Sequence, residues 1–275
     1  MDLLLETSVI STAVISGVLL SRIFSRLRAP YWACGYFISL VLIAMLLTGR
    51  CSTALSFVPP FSWAVAGRAR FIVSAWAITM GLITPLSRLP RRSEKYAVCL
   101  LTVVFVTAFS IVPFLAPNFL RNDLSTLQTK IDSNGICFQS RSYTCGPAAA
   151  VTALRKLGFN AQEGEIAVLA RSSPITGTLP QSLYSALQAR YGSEGLKCRY
   201  RYFDSVNQLR GIGVTLAVVR DAFLLDHCVA VLDVSDRTVV IADPILGKQL
   251  MSHEQFERVW RFTGIVLRRD VLGSI

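Results

Sequence analysis

Residues 7–21, 31–49, 71–87 and 96–120 contain no Asp, Glu, Lys or Arg. These four runs constrain the chain more than any motif does. A helix that crosses a bilayer needs about 20 consecutive apolar residues, with a range of roughly 17–25. The runs predict helices over 3–24, 31–49, 71–87 and 96–117, which makes 1–120 a multi-pass transmembrane region. The first run reaches that length only by extending past Glu6, so Glu6 is expected at the lipid–water interface. No Lys or Arg precedes it, unlike a secretory signal. Residues 51–67 are uncharged too, but Pro59-Pro60 removes two helix donors and restricts the residue before each proline. A kinked, re-entrant or surface-lying segment is expected there instead of a fifth span.

Charge divides the chain. Residues 1–120 hold ten Lys/Arg and three acids, and 121–275 hold 18 and 14. Only 16% of all residues are charged, against roughly 25% in a typical soluble domain. The cations of the first half flank the apolar runs, where cytoplasmic loops collect them. Their placement explains the net charge of +11 without a nucleic-acid partner. Arg22, Arg26 and Arg28 share one side with Arg88, Arg91, Arg92 and Lys95. Arg50, Arg68 and Arg70 lie on the other. The larger group marks the cytoplasm, so the soluble half is expected on the non-cytoplasmic side. A fifth span would reverse that. A channel or transporter usually carries ionisable groups within its spans. Glu6 alone comes close, so the helices read as an anchor in the lipid bilayer.

Residues 121–275 suffice for one independent core. Helices are expected over 145–157, 163–170, 180–191 and 252–261. Strands are expected over 197–203, 214–220, 227–234, 238–243 and 264–267. Helices followed by strands indicate an α+β fold. Cys145 opens the first helix, with Thr144 as its N-cap, Pro147 in the first turn and Gly158 beyond its end. A helix N-terminus offers unpaired N–H groups and a favourable dipole, which favour thiolate over thiol. Gly146 leaves room for a substrate beside the backbone. A buried small hydrophobe at a helix start fits this position equally well.

The later hairpin breaks that tie. Pairing centred on Ser235 would set His227 level with Asp243, on the face shared by Val229, Val231, Val239 and Ile241. A carboxylate facing an imidazole fixes its tautomer and stabilises the imidazolium. Gln139, six residues before Cys145, could add a side-chain donor beside the Cys145 N–H at an oxyanion site. Cys228 should face away from His227, and His253 reads as a capping or surface residue. No C-x-x-C occurs, so no metal or other cofactor is expected. A disulfide such as Cys137–Cys198 is open outside the cytoplasm but not fixed by sequence.

The string Gln139-x5-Cys145-Gly146-Pro147-Ala148-Ala149, then His227-x-Val229-x-Val231, then Asp243-Pro244 resembles the bacteriocin-processing leader-peptidase family. These are the papain-like cysteine peptidase domains at the front of peptidase-containing ABC transporters. The resemblance covers roughly residues 133–267 and includes Gly177-Thr178-Leu179 ahead of a helix. It implies Cys145 as nucleophile, His227 as general base, Asp243 as its orienter and Gln139 as oxyanion donor. It also implies a bacterial cell membrane, and a peptide or preprotein substrate cut after small residues, often at a Gly-Gly leader. Three features depart from the transporters. Thr144 stands where many carry an acid, no GxxxxGK[ST] loop is present, and the apolar region precedes the peptidase-like part. Export of a processed peptide would therefore need a separate exporter. An idle peptide-binding module and a membrane interaction or transport protein with an accessory soluble domain are the competing expectations.

Overall fold

The computed structural model describes residues 3–222 and 225–270. The chain forms two compact units, Met1–Asn118 and Phe119–Ile275.

The first unit is helical. Among the described residues, four helices are long and apolar enough to cross a membrane: Leu4–Arg26, Ala33–Cys51, Ala69–Arg88 and Arg92–Phe119. They contain α1 (Leu3–Arg26), α2 (Ala33–Cys51), α4 (Ala69–Ile83), α5 (Arg92–Val106) and α6 (Val112–Phe119). Between α2 and α4, residues 51–67 break into a 3₁₀ turn, Leu55–Phe57, and the short α3, Phe61–Val65. Neither is long enough to span. A π-helical turn, Thr107–Ile111, joins α5 to α6 just before Pro113 and Pro117. Proline removes a ladder donor, and a π turn is a known way to absorb the mismatch.

Small residues bring these helices together. A Cβ on Gly17 would lie 2.1 Å from Thr79 Oγ1, so α1 and α4 cross nearly in backbone contact. One turn on, Ser21 Oγ lies 3.2 Å from the Thr79 carbonyl oxygen. Small residues four apart are how apolar helices approach closely in lipid. Glu6 lies fully buried among these helices. Arg68 Nη1 and Nη2 each donate to a Glu6 oxygen at 2.8 Å, and Asn118 Nδ2 donates to Glu6 Oε2 at 2.5 Å. The Arg68 guanidinium also lies 3.7 Å from the Phe114 ring centroid. The first and last long helices are thus clasped through one acid. Sequence spacing gave no hint of it, because Arg68 lies 62 residues from Glu6.

The second unit opens with α7 (Arg121–Ser125), followed by the small hairpin β1 (Lys130–Ile131) and β2 (Cys137–Phe138). Three helices follow: α8 (Cys145–Lys156), α9 (Glu163–Leu169) and α10 (Pro180–Tyr191). The strands β3 (Leu196–Tyr202), β4 (Val214–Ala222), β5 (Leu225–Val234), β6 (Thr238–Asp243), β7 (Gly247–Ser252) and β8 (Trp260–Arg269) form one antiparallel sheet in the order β3-β8-β4-β5-β6-β7. Between β7 and β8 lies α11 (His253–Val259). This is the expected α+β arrangement. The alternation of each strand feeds two cores. Leu216, Ala230, Ala242 and Ile265 pack with the buried small residues of α8. Val229, Val231, Val239 and Ile241 pack with Phe203, Phe256 and Trp260.

Three local expectations are corrected. Ala230 pairs with Ala242, not with Val240 as pairing centred on Ser235 requires. A bulge between Val231 and Asp233, and a turn closed by Ser235 N–H to the Thr238 carbonyl, shift the register. The strand β7 was not foreseen, although Asp243-Pro244-x-x-Gly247 is a turn signature. The last strand runs from Trp260 to Arg269, absorbing part of the expected final helix. That helix starts where a capping box, Ser252 with Gln255, fixes it. Its first residue, His253, places Nε2 3.0 Å from the Ser235 carbonyl oxygen and pins the hairpin turn.

Candidate active site

Cys145 is the first residue of α8 and is half-buried. Behind it the helix continues Gly-Pro-Ala-Ala-Ala-Val, all buried. These small side chains let α8 lie against β5 and β4. Thr144 does not cap the helix: no side-chain cap bond forms. Its hydroxyl donates instead to Glu163 Oε1 at 2.6 Å. Gly146 does not face an open approach either. A Cβ there would meet Thr178 Cβ at 3.0 Å and Leu183 Cδ2 at 3.4 Å. Thr178 is in turn fixed by Ser172 Oγ at 2.7 Å. The glycine lets the wall carrying Thr178 close against the start of α8.

His227 and Asp243 come together despite the shifted register. His227 Nε2 lies 3.0 Å from Asp243 Oδ1, with both side chains about nine-tenths buried. The contact is diagonal, within reach of longer side chains on paired strands. Asp243 Oδ1 also accepts the N–H of Ile245 at 2.7 Å and of Leu246 at 3.2 Å. The same carboxylate shapes the β6–β7 turn and holds the ring. Cys145 is near enough to the ring to act on its charge.

The electrostatics follow from these contacts. Burial alone would lower the His227 pKa. Hydrogen bonds to Asp243 and Cys145, and their charges, outweigh it and raise it to about 10. Burial works to raise Asp243, but bonds from His227, Ile245 and Leu246 hold it below the ordinary carboxylate value. Cys228 is held well above the usual thiol range, first by burial and then by the charges of Cys145 and Asp243. It packs against the core cluster that includes α8. Burial pushes the thiols of Cys137 and Cys198 up to about 12. All seven cysteines are free.

Gln139 reaches the same end of the sheet. Its N–H donates to the Pro244 carbonyl at 3.0 Å, beside Asp243. Its side-chain Oε1 is buried with no hydrogen-bond partner. The fold therefore leaves part of this amide's bonding capacity unspent. Among the described residues, no group of three or more His, Cys, Asp or Glu is placed to hold a metal ion.

Residues 133–270 match the sequence profile of the Peptidase C39 family. The chain belongs to the Peptidase C39 family. The papain-like α+β architecture is that of the family. An uncharacterized protein of Methanothermobacter thermautotrophicus is 35% identical over 145 residues, covering 53% of this chain and 94% of the relative. One from Methanothermobacter marburgensis is 31% identical over 129 residues, covering 47% and 83%. Among solved structures, the peptidase domain of Streptococcus ComA, a bifunctional ABC transporter of a quorum-sensing pathway, is 20% identical. It covers 48% of this chain and 96% of that domain, with a TM-score of 0.42. A double-glycine-motif protease from an AMS/PCAT transporter, in complex with its leader peptide, is 15% identical. The coverages are 53% and 96%, and the TM-score is 0.41.

The raised His227 pKa has two measurable consequences. A histidine whose pKa rises from 6.5 unfolded to about 10 folded adds stability that is complete below pH 6.5 and lost as pH climbs through about 10. Any step that needs the imidazolium fails at the same alkaline limb. Asp243→Asn removes a raising charge, so the alkaline limb of a pH–rate profile is expected to move toward neutrality. An unmoved limb would mean that Asp243 does not set the ring's charge.

Proposed function

We propose that this C39 family member is a membrane-anchored cysteine peptidase. In this reading residues 1–120 are a four-helix anchor and 121–275 the peptidase domain, on the non-cytoplasmic side. The observation that carries it is the bonded pair of His227 and Asp243, with Cys145 at the start of α8 among the groups that raise the ring's pKa.

The chemistry is acyl transfer through a thioester. Cys145 and His227 work as a thiolate and an imidazolium. The sulfur attacks the scissile carbonyl carbon, and the oxygen takes the negative charge. The Cys145 N–H and the Gln139 amide stabilise that oxygen. The intermediate collapses as the C–N bond breaks, and His227 gives its proton to the leaving amine. Neutral His227 then takes a proton from water, which attacks the thioester and releases the acid and the thiolate. Asp243 holds the ring throughout. The family and its structural neighbours support a peptide substrate, and a leader cut after small residues fits best.

The test is labelling of the full chain by fluorescent iodoacetamide. One of the seven cysteines should react far faster than the rest, and Cys145→Ala should abolish that fast phase. His227→Ala should slow it by at least about tenfold, since a cysteine paired with an imidazolium gains most of its thiolate from the pair. Labelling of Cys145 indifferent to His227 would sink the proposal.

A further inference from the structure

Next to the stretch that carries Gln139 and Cys145 sits a carboxylate that the reaction does not use. Glu163 is the first residue of α9 and has no solvent exposure. Its Oε1 accepts the Ser140 N–H at 2.8 Å and the Thr144 hydroxyl at 2.6 Å. Its Oε2 lies 2.7 Å from Ser140 Oγ. Ser140 follows Gln139 and Thr144 precedes Cys145, so one acid grips both ends of the intervening loop. An acid in the first turn of a helix also suits the helix dipole. That accounts for a carboxylate at 163, but not for three bonds that all run to residues 140–144.

The grip has its own support. The Glu163 N–H donates to Thr129 Oγ1 at 2.9 Å. The next residue, Gly164, packs so tightly on α7 that a Cβ would lie 2.6 Å from the Leu124 carbonyl oxygen. A buried charge is costly unless fully hydrogen-bonded, and a bonded network of this kind holds one geometry.

We infer that Glu163 is a positioning residue: through Ser140 and Thr144 it sets the Gln139 amide relative to the Cys145 sulfur, and it does not touch substrate. This rests on the reading of Cys145 as nucleophile and Gln139 as oxyanion donor. It predicts damage to the oxyanion half of the site with the thiolate half spared.

Two probes separate those halves in the full chain held in detergent micelles. Iodoacetamide needs only the thiolate. The peptide aldehyde acetyl-Leu-Gly-glycinal forms a reversible hemithioacetal, whose oxygen also needs the amide donors. Glu163→Ala is expected to weaken aldehyde binding by at least about tenfold, the scale of loss for a misplaced catalytic group. The rate of Cys145 alkylation should stay within about threefold. Glu163→Gln keeps the bonds, because its amide oxygen accepts from Ser140 N–H and Thr144 while its NH₂ donates to Ser140 Oγ. It should restore aldehyde affinity to within about threefold of the wild type. Thr144→Val and Ser140→Ala each remove one arm of the grip and should show part of the loss, which keeps the test decisive if Glu163→Ala does not fold. Equal losses with both probes, or undiminished aldehyde binding in every folded variant, would overturn the assignment. So would a Glu163→Gln protein as impaired as Glu163→Ala. Wild-type protein that binds no aldehyde, or binds it equally well after Cys145→Ala, would overturn the nucleophile reading itself. That failure is visible before any Glu163 variant is made.

Discussion

Cys145→Ala is expected to lower peptide turnover by about 10⁶-fold, and adding His227→Ala to it should cost almost nothing more. Residues that act as one unit are not additive: once the nucleophile is gone, its base has nothing to activate. Gln139→Ala should behave differently. On the proposed mechanism it removes one donor to the oxyanion and leaves thiolate and base in place, a loss of about 10²–10³-fold in kcat. The measurement is steady-state cleavage of a small-residue peptide by the full chain, with each variant alone and paired. Additive losses for Cys145→Ala and His227→Ala would show that the two do not share one step. A Gln139→Ala protein with full kcat would remove it from the oxyanion site.

The second large effect lies in the helical unit. Glu6→Leu should destabilise it by about 3–5 kcal/mol, because Arg68 is left largely buried with its main partner gone. Glu6→Leu together with Arg68→Met should recover most of that loss, since apolar replacement of a whole buried pair is often neutral or better. Denaturation in mixed micelles, followed by helix content, reads both. If the double variant were as unstable as the single, the loss would come from packing around Glu6 and not from an orphaned charge.

The sequence made some of this legible and hid the rest, for physical reasons. Apolar runs of spanning length need no partner to be recognised, so the four long helices could be read off directly. The crossing of α1 and α4 at Gly17 and Ser21 was not read from sequence, because nothing local names Thr79 as the residue opposite. Cys145 at a helix start, and the His227 and Asp243 strands, were readable because helix ends and strand periods are local properties. The register was not, because a bulge is one extra residue that alternation alone does not reveal. Contact survived the shift because both side chains still project from the same end of adjoining strands. Thr144 looked like a cap by residue type. A fully buried Glu163, 19 positions away, claimed its hydroxyl instead. Long-range polar partners of this kind, Arg68 for Glu6 among them, are set by tertiary packing and leave no spacing rule in the chain.

The last long apolar helix ends at Phe119 and α7 begins at Arg121, so a single residue, Leu120, separates them. One residue extends the chain by at most about 3.6 Å. A unit of this size has a radius of gyration of about 15 Å. On the proposed anchoring, so short a tether leaves the catalyst no freedom to work away from the bilayer.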